Sequence, residues 1–567
     1  MNDRKRSLDI FERGKKIIAK GYSAIRGKTG ANSKKTNIPW VPILNNSRPL
    51  WESTLQNKGN GKKILVAISM GGYKLGTIFE SSLAVALSLR GTDVDVLLCD
   101  GVLPGCQQTE IAMTPPDKLL ALSVQPRCSS CFAFGSGVFD PLGLNIYRYS
   151  DFLTASDRKN AADIAERIPF NEIENFTWNN LAVGEHAIAG ALRYFARGNL
   201  TGEPYAERIA RMYLKSSLLT ASVVINLLKK KKYDVACFNH GIYVPMGIIG
   251  EVCRNNGVRV VNWNPGYRSQ RFIFSHGTTY HHTMPTEPTD VWENMILTPE
   301  MNQDITEYLK SRWQGSQDWI SFLSKSVEDN ATISQLTGID FSKKTVSLLT
   351  SVMWDARLHY KTNAFPDMLD WVYFTIEYFI QHPELQLVIR VHPAEAKGAV
   401  PSRQRVVEEV NSRFPHLPEN IILVPPESPA STYAIVERSN AAIIYNTKTG
   451  IEISSMGIPV IVAGEAWIRG KGFSRDASSP DEYRRLLDQL PLKTGLNHTE
   501  LERAQKYAYH FFFRRMIPLL FITPEFKLNI STLDELKPGV YPGLDVICDG
   551  ILKGTPFIYP AEKIDTR

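Results

Sequence analysis

Short apolar runs of β type alternate with helix-compatible stretches in two separate blocks of the chain. The first block opens at KKILVAISM (62–70), followed at once by Gly71 and Gly72, a helix-compatible stretch through Leu89 and a second run, VDVLLCD (94–100). Strand, Gly turn, helix, strand is the opening of a doubly wound α/β unit. YDVACFNH (233–240), a helix-like stretch from Pro245 to Asn256 and VRVVNWN (258–264) continue it. Residues 150–230 read as helical and loop-rich, and 291–340 predict helices that bridge to the second block. There KTVSLLTSV (344–352), LQLVIRVHP (385–393), NIILVPP (420–426), NAAIIYN (440–446) and IPVIVAG (458–464) are five β-type runs. Helical or irregular segments separate them, as parallel βαβ units require.

The flanks read differently. Leu8, Phe11, Ile18, Tyr22 and Ile25 recur at helical spacing among Lys and Arg, the pattern of a basic amphipathic helix suited to an anionic membrane surface. Residues 27–60, rich in Gly, Asn, Ser, Lys and Pro, read as a linker. At the other end, TELERAQKYAYHFFFRRMIPLLF (499–521) starts as a charged helix and turns aromatic, which predicts a terminal helix packed across both units. The expected organisation is a tail and linker (1–60), a Rossmann-like unit (61–335), a second Rossmann-like unit (336–498) and a C-terminal helix and tail (499–567).

Length agrees, since 567 residues exceed one ordinary core. The formal net charge of +7 is unevenly placed: residues 1–35 hold eleven Lys and Arg against Asp3, Asp9 and Glu12, a local balance of +8. The rest of the chain is near neutral, which argues against a nucleic-acid groove and for a local anionic partner. No apolar run approaches the roughly 18 residues of a spanning helix, and the first residues carry no apolar signal core. The expected location is cytoplasmic, peripheral at the inner membrane.

Four of the seven cysteines, Cys99, Cys106, Cys128 and Cys131, crowd into 33 residues. Cys128 and Cys131 have knuckle spacing, so the quartet is a candidate structural zinc site; reduced structural thiols and a redox pair are the other readings.

The chemistry concentrates at strand ends of the second block, where ligands bind in parallel α/β sheets. Arg390 and His392 close one strand and suit a phosphate or a leaving-group oxygen. Asn446, Thr447, Lys448, Thr449 and Gly450 follow another, offering hydroxyl and amide donors to an anion. Glu452 lies one step further on and could accept a sugar hydroxyl or favour the helix dipole. Glu465, Arg469 and Lys471 sit in a Gly-rich loop after a third strand. In the first block, Gly71 and Gly72 permit close approach of a ligand, and Tyr280 joins a His-rich stretch, FSHGTTYHH. Candidate bases for an acceptor hydroxyl are His240, His276, Asp100 and Asp355.

RVHPAE (390–395), YNTKTGIEISSMGIPVIVAGEAW (445–467) and KGF (471–473) resemble the capsule polysaccharide biosynthesis family of bacterial GT-B glycosyltransferases. That group includes transferases of 3-deoxy-octulosonic acid (Kdo) and carries a His-Pro element. The resemblance covers roughly 340–480. It implies two Rossmann-type domains facing a cleft, a nucleotide-sugar donor, a glycan or lipid-linked glycan acceptor, and no cofactor required for catalysis. It also implies that His392, Thr447 and Thr449 contact the donor phosphate. Thr-Lys-Thr stands here where many relatives carry adjacent Ser/Ser or Ser/Thr, which leaves the donor open. A polyol-phosphate transferase of teichoic-acid type and a non-catalytic GT-B-like scaffold are the alternatives.

Overall fold

A computed structural model describes residues 39–57, 61–122, 125–314, 317–319, 326–360 and 362–563. The basic amphipathic pattern of residues 1–35 lies outside the described residues.

The first sheet has seven strands: β1 (Lys63–Ile68), β2 (Asp93–Leu98), β3 (Asn145–Arg148), β4 (Val235–Asn239), β5 (Arg259–Pro265), β6 (Arg271–His276) and, from the C-terminal region, β13 (Ile517–Pro518). Their order is β13-β6-β5-β4-β1-β2-β3. The five strands from β5 to β3 run parallel, whereas β6 is antiparallel to β5 and β13 to β6. The second sheet orders β7 (Thr345–Leu349), β8 (Gln386–Arg390), β9 (Ile421–Val424), β10 (Ala441–Ile444), β11 (Val460–Val462) and β12 (Arg475–Asp476) as β12-β11-β10-β7-β8-β9, all parallel. The runs are apolar on both faces because helices cover both sides, as a parallel sheet demands. The expected α/β architecture, two doubly wound units facing a cleft in the GT-B manner, is present.

Two features depart from the linear reading. Residues 40–56 are not linker: they form helices Trp40–Asn46 and Arg48–Gln56, with Trp40 and Trp51 buried in the core of the first unit. The Trp40 indole donates to Ser81 Oγ at 2.9 Å, and that of Trp51 to the Leu142 carbonyl at 3.0 Å. The polar composition of that stretch masked two aromatic anchors. At the other end, the helix His498–Tyr509 packs on the second unit, after which the chain crosses back. It then adds β13 and the helix Pro542–Lys553 to the first unit.

Candidate functional site

The carboxyl ends of both sheets face one cavity of about 530 Å3. Tyr73 follows β1, Pro265 ends β5 with Tyr267 just beyond it, and Tyr280 and His281 follow β6 on one side; Thr350, Ser351, Val352, Asp355, His392, Asn446 to Thr449, Glu465 and Trp467 follow β7, β8, β10 and β11 on the other. A groove of about 1000 Å3 between residues 290–308 and 509–514 is larger but contains none of the predicted site residues, so the interunit cavity is the candidate site.

The loops at 392, 447–449 and 465 therefore converge. His392 Nδ1 accepts the Ala394 amide at 3.0 Å, so a neutral ring carries its proton on Nε2 as a donor. Burial, reinforced by Lys448 and Arg390, depresses the imidazole to about 4, which keeps it neutral near pH 7. Thr447 and Thr449 hydroxyls lie 3.2 Å apart, and the Thr449 amide donates to Thr447 Oγ1 at 3.4 Å. Asn446 Oδ1 accepts from Ser351 Oγ at 2.6 Å, tying that loop to the end of β7.

Lys448 and Glu452 form a buried network rather than two separate ligands. Lys448 Nζ is 2.7 Å from Glu452 Oε1 and lies over the Tyr267 ring at 4.6 Å. Arg312 Nε reaches the same carboxylate at 3.3 Å, and Tyr433 donates to it. Burial alone would raise the Glu452 carboxyl, but Arg312 and Lys448 outweigh it and hold the group at about 2. Glu452 is thus an ionised structural anchor, not an acceptor for a sugar hydroxyl. Desolvation by burial lowers the Lys448 ammonium.

Several predicted residues have other work. Arg390, 2% exposed, spends its guanidinium on carbonyls of Pro425 (2.6 Å), Ser428 (3.2 Å) and Ala430 (3.4 Å), so it braces the 425–432 loop. Gly450 is a packing position: a Cβ there would sit 2.6 Å from Ile444 Cδ1. Lys471 does not line the cavity; its ammonium crosses to the Pro285 and Glu287 carbonyls at 3.3 and 2.6 Å. Arg469 ties Gly464 O and Ala477 O together. Glu465 does line the cavity, and burial raises its carboxyl.

In the first unit, Gly71 and Gly72 allow the helix Cys128–Phe139 to approach: a Cβ at Gly71 would meet the Cys131 carbonyl at 2.5 Å. They admit a helix, not a ligand. His276 also leaves the site, hydrogen-bonded to the Thr555 carbonyl at 2.9 Å and stacked on Phe557. His240, with backbone φ of 65°, lies behind the cavity wall against Tyr243 and His281, and burial, then Arg193, holds its ring at about 3. So low a pKa makes it a poor proton acceptor. Asp100 instead accepts the Ser150 amide at 3.2 Å. Asp355 does reach the cavity, and its Oδ1 accepts the Tyr243 hydroxyl at 2.9 Å.

The four clustered cysteines are neighbours in space; burial, then Cys106, raises Cys128 to about 12, and burial raises Cys131 to about 11 against the lowering effect of the Gly72 amide. Cys131 Sγ accepts the Gly72 amide at 3.0 Å. Among the described residues no group of three or more His, Cys, Asp or Glu is arranged to hold a metal ion. Among these residues the zinc candidate has no formed ligand set.

Sequence reasoning missed Tyr267, Arg312, Tyr433 and Trp467. Tyr267 and Trp467 follow strand ends and were within reach of that rule. Arg312 and Tyr433 carry no local signal, since their role exists only once Glu452 is buried between them.

No family model and no curated protein matches the chain. Solved structures similar to it include a Thermosulfurimonas dismutans KpsC, beta Kdo 2,4 transferase, at 14% identity and TM-score 0.31, over 48% of this chain and 79% of that one. A UDP-GlcNAc 2-epimerase from Neisseria meningitidis bound to UDP-GlcNAc is 10% identical with TM-score 0.23, over 83% and 97%. The S. aureus MnaA-UDP co-structure is 10% identical with TM-score 0.28, over 86% and 96%. At these values the likeness is one of distant outline, and the reading of the cleft rests on this chain's own sheets and side chains.

Proposed function

We propose that the protein is a glycosyltransferase that moves a sugar from a nucleotide-activated donor to a hydroxyl of a glycan acceptor. One observation carries this reading: His392, Thr447, Thr449 and Asp355, from three separate strand ends, share one interunit cavity. Anion donors and a carboxylate base on the walls of one cleft suit displacement of a phosphate leaving group by an alcohol. The acceptor oxygen attacks the anomeric carbon, its proton passes to Asp355, and the carbon–oxygen bond to the phosphate breaks. The departing anion is received by the Thr447 and Thr449 hydroxyls and by the Nε2–H of His392, donors already oriented before charge develops. Neutral His281, held near 3 by burial and His240, lies beside Asp355 as a partner for the acceptor hydroxyl. Tyr267, Tyr280 and Trp467 supply apolar faces for sugar rings.

A capsule-like surface polysaccharide as acceptor, and docking of the basic residues 1–35 on an anionic membrane, complete the proposal. The test is a thermal-shift screen across CMP, CDP, UDP, GDP and dTDP, followed by product analysis with the matching sugar donor. A nucleotide at ~100 times its Kd should stabilise the fold by about 2.7 kcal/mol. Silence with every nucleotide would favour the scaffold reading, and release of a nucleoside monophosphate with a polyol-phosphate product would favour the alternative transferase.

A further inference from the structure

Asp355 belongs to the second unit, in the turn after β7, yet its orientation is set by the first. Tyr243, buried at 1% exposure between β4 and the helix Met246–Asn255, donates its hydroxyl to Asp355 Oδ1 at 2.9 Å. The Tyr243 hydroxyl oxygen in turn accepts the Ala356 amide at 2.8 Å. One phenol thus grips both the carboxylate and the backbone that carries it. That backbone is unusual, because Ala356 holds φ of 53°, a region an alanine rarely adopts without an external tie. Tyr243 is itself fixed: the Arg193 guanidinium lies 5.5 Å over its ring and donates to the Gln107 carbonyl at 2.6 Å, while Glu110 pairs with the same arginine at 3.2 Å.

The neighbouring residues of this turn are also attached to the first unit. The His359 amide donates to Glu185 Oε1 at 2.6 Å, and its ring meets Glu174 Oε1 at 2.9 Å. Nearby, Gln404 Oε1 accepts the Gly198 and Asn199 amides at 2.9 and 3.2 Å, so a second loop of the second unit docks at the same seam. Of these ties, the Tyr243 pair alone bears directly on a cavity-lining carboxylate.

We propose that Tyr243 is a positioning residue that presents Asp355 to the acceptor hydroxyl, so that the base is assembled only when the two units are docked. The inference rests on the role given to Asp355 above. Removing the phenol releases the aim of the carboxylate, and misplacement by about 1 Å costs roughly 100-fold in rate.

The decisive comparison is Tyr243→Phe beside Asp355→Asn in the full chain. Tyr243→Phe keeps the ring under Arg193 and should lower kcat about 100-fold with the donor KM unchanged. Amide exchange of residues 353–360 should become faster in Tyr243→Phe, which removes both hydrogen bonds of the phenol, and stay near wild type in Asp355→Asn, which retains an acceptor for Tyr243; this readout needs no turnover. Wild-type kcat in Tyr243→Phe, with Asp355→Asn inactive, would overturn the positioning role while leaving the base assignment intact. Full turnover by Asp355→Asn would instead sink the base assignment itself. Unchanged exchange at 353–360 in folded Tyr243→Phe would overturn the latch, whatever the activity.

Discussion

Lys448 Nζ lies 2.7 Å from Glu452 Oε1, one helical turn along the chain, and the carboxylate is wholly buried. The ammonium nearest the proposed phosphate site is therefore already paired. Arg312, from the helix Pro299–Gln314 of the interunit region, shares the same carboxylate, so two cations from distant parts of the chain meet on one anion. Glu452→Gln would leave both buried cations short of charge. Breaking a buried pair from one side costs about 3–5 kcal/mol. Chemical denaturation of Glu452→Gln should show a loss of about 3 kcal/mol; a loss under ~1 kcal/mol would mean the network is solvated in solution.

The threonine pair should behave in the opposite way. Thr447→Val and Thr449→Val keep the shape and remove only hydroxyls that point at each other across 3.2 Å. Hydrogen bonds to charged groups contribute roughly 1.5–3 kcal/mol, so each variant should weaken nucleotide binding ~10-fold or more with little change in Tm. Isothermal titration with the nucleotide found by thermal shift measures this. Equal affinity in both variants would remove these hydroxyls from the site.

Lys471 and His276 test the boundary of the cavity. Lys471 holds the Pro285 and Glu287 carbonyls, and His276 stacks on Phe557. Lys471→Met should lower Tm while donor affinity stays at the wild-type value. His276→Phe should retain turnover, and a strong loss of kcat in that folded variant would return His276 to the candidate bases.

Glu80 gives a prediction for pH. It is buried at 3% exposure in the helix Lys74–Ser88 and accepts the Trp263 indole N–H at 3.0 Å. Burial pushes its carboxyl up to about 8, against an ordinary value of 4.5. The folded protein keeps this proton to near pH 8, whereas the unfolded chain releases it above pH 4.5. The unfolded state thus binds fewer protons across that window, and the contribution of Glu80 to stability declines as pH rises from 4.5 to 8. Glu80→Gln retains an acceptor for Trp263 and should flatten this part of the curve. Denaturation midpoints of both proteins at pH 6, 7, 8 and 9 check it; parallel curves would mean Glu80 titrates normally.

Local pattern was enough to place most of the sheet scaffold. Apolar runs bounded by turns marked β1, β2, β4, β5 and β7 to β11, because a strand covered on both faces must be apolar throughout. The short edge strands β3, β12 and β13 carry too few residues for any period to register. Strand-end logic likewise placed His392, Thr447 and Thr449 near one another, since the carboxyl edge of a parallel sheet is a single locus whatever the loops contain; it left Asp355 among four candidate bases.

The sequence by itself determined the two α/β units and which loops lie at their ligand-bearing edges; both follow from short-range periodicity. Only the tertiary structure decided what each polar side chain faces. It turned Arg390 toward the 425–432 carbonyls, sent Lys471 across to Glu287, buried Glu452 between Arg312 and Lys448, and joined Tyr243 to Asp355 across 112 positions. The physical reason is that a long polar side chain can satisfy itself in several ways of nearly equal local energy. The choice is made by partners that only packing brings within hydrogen-bond distance.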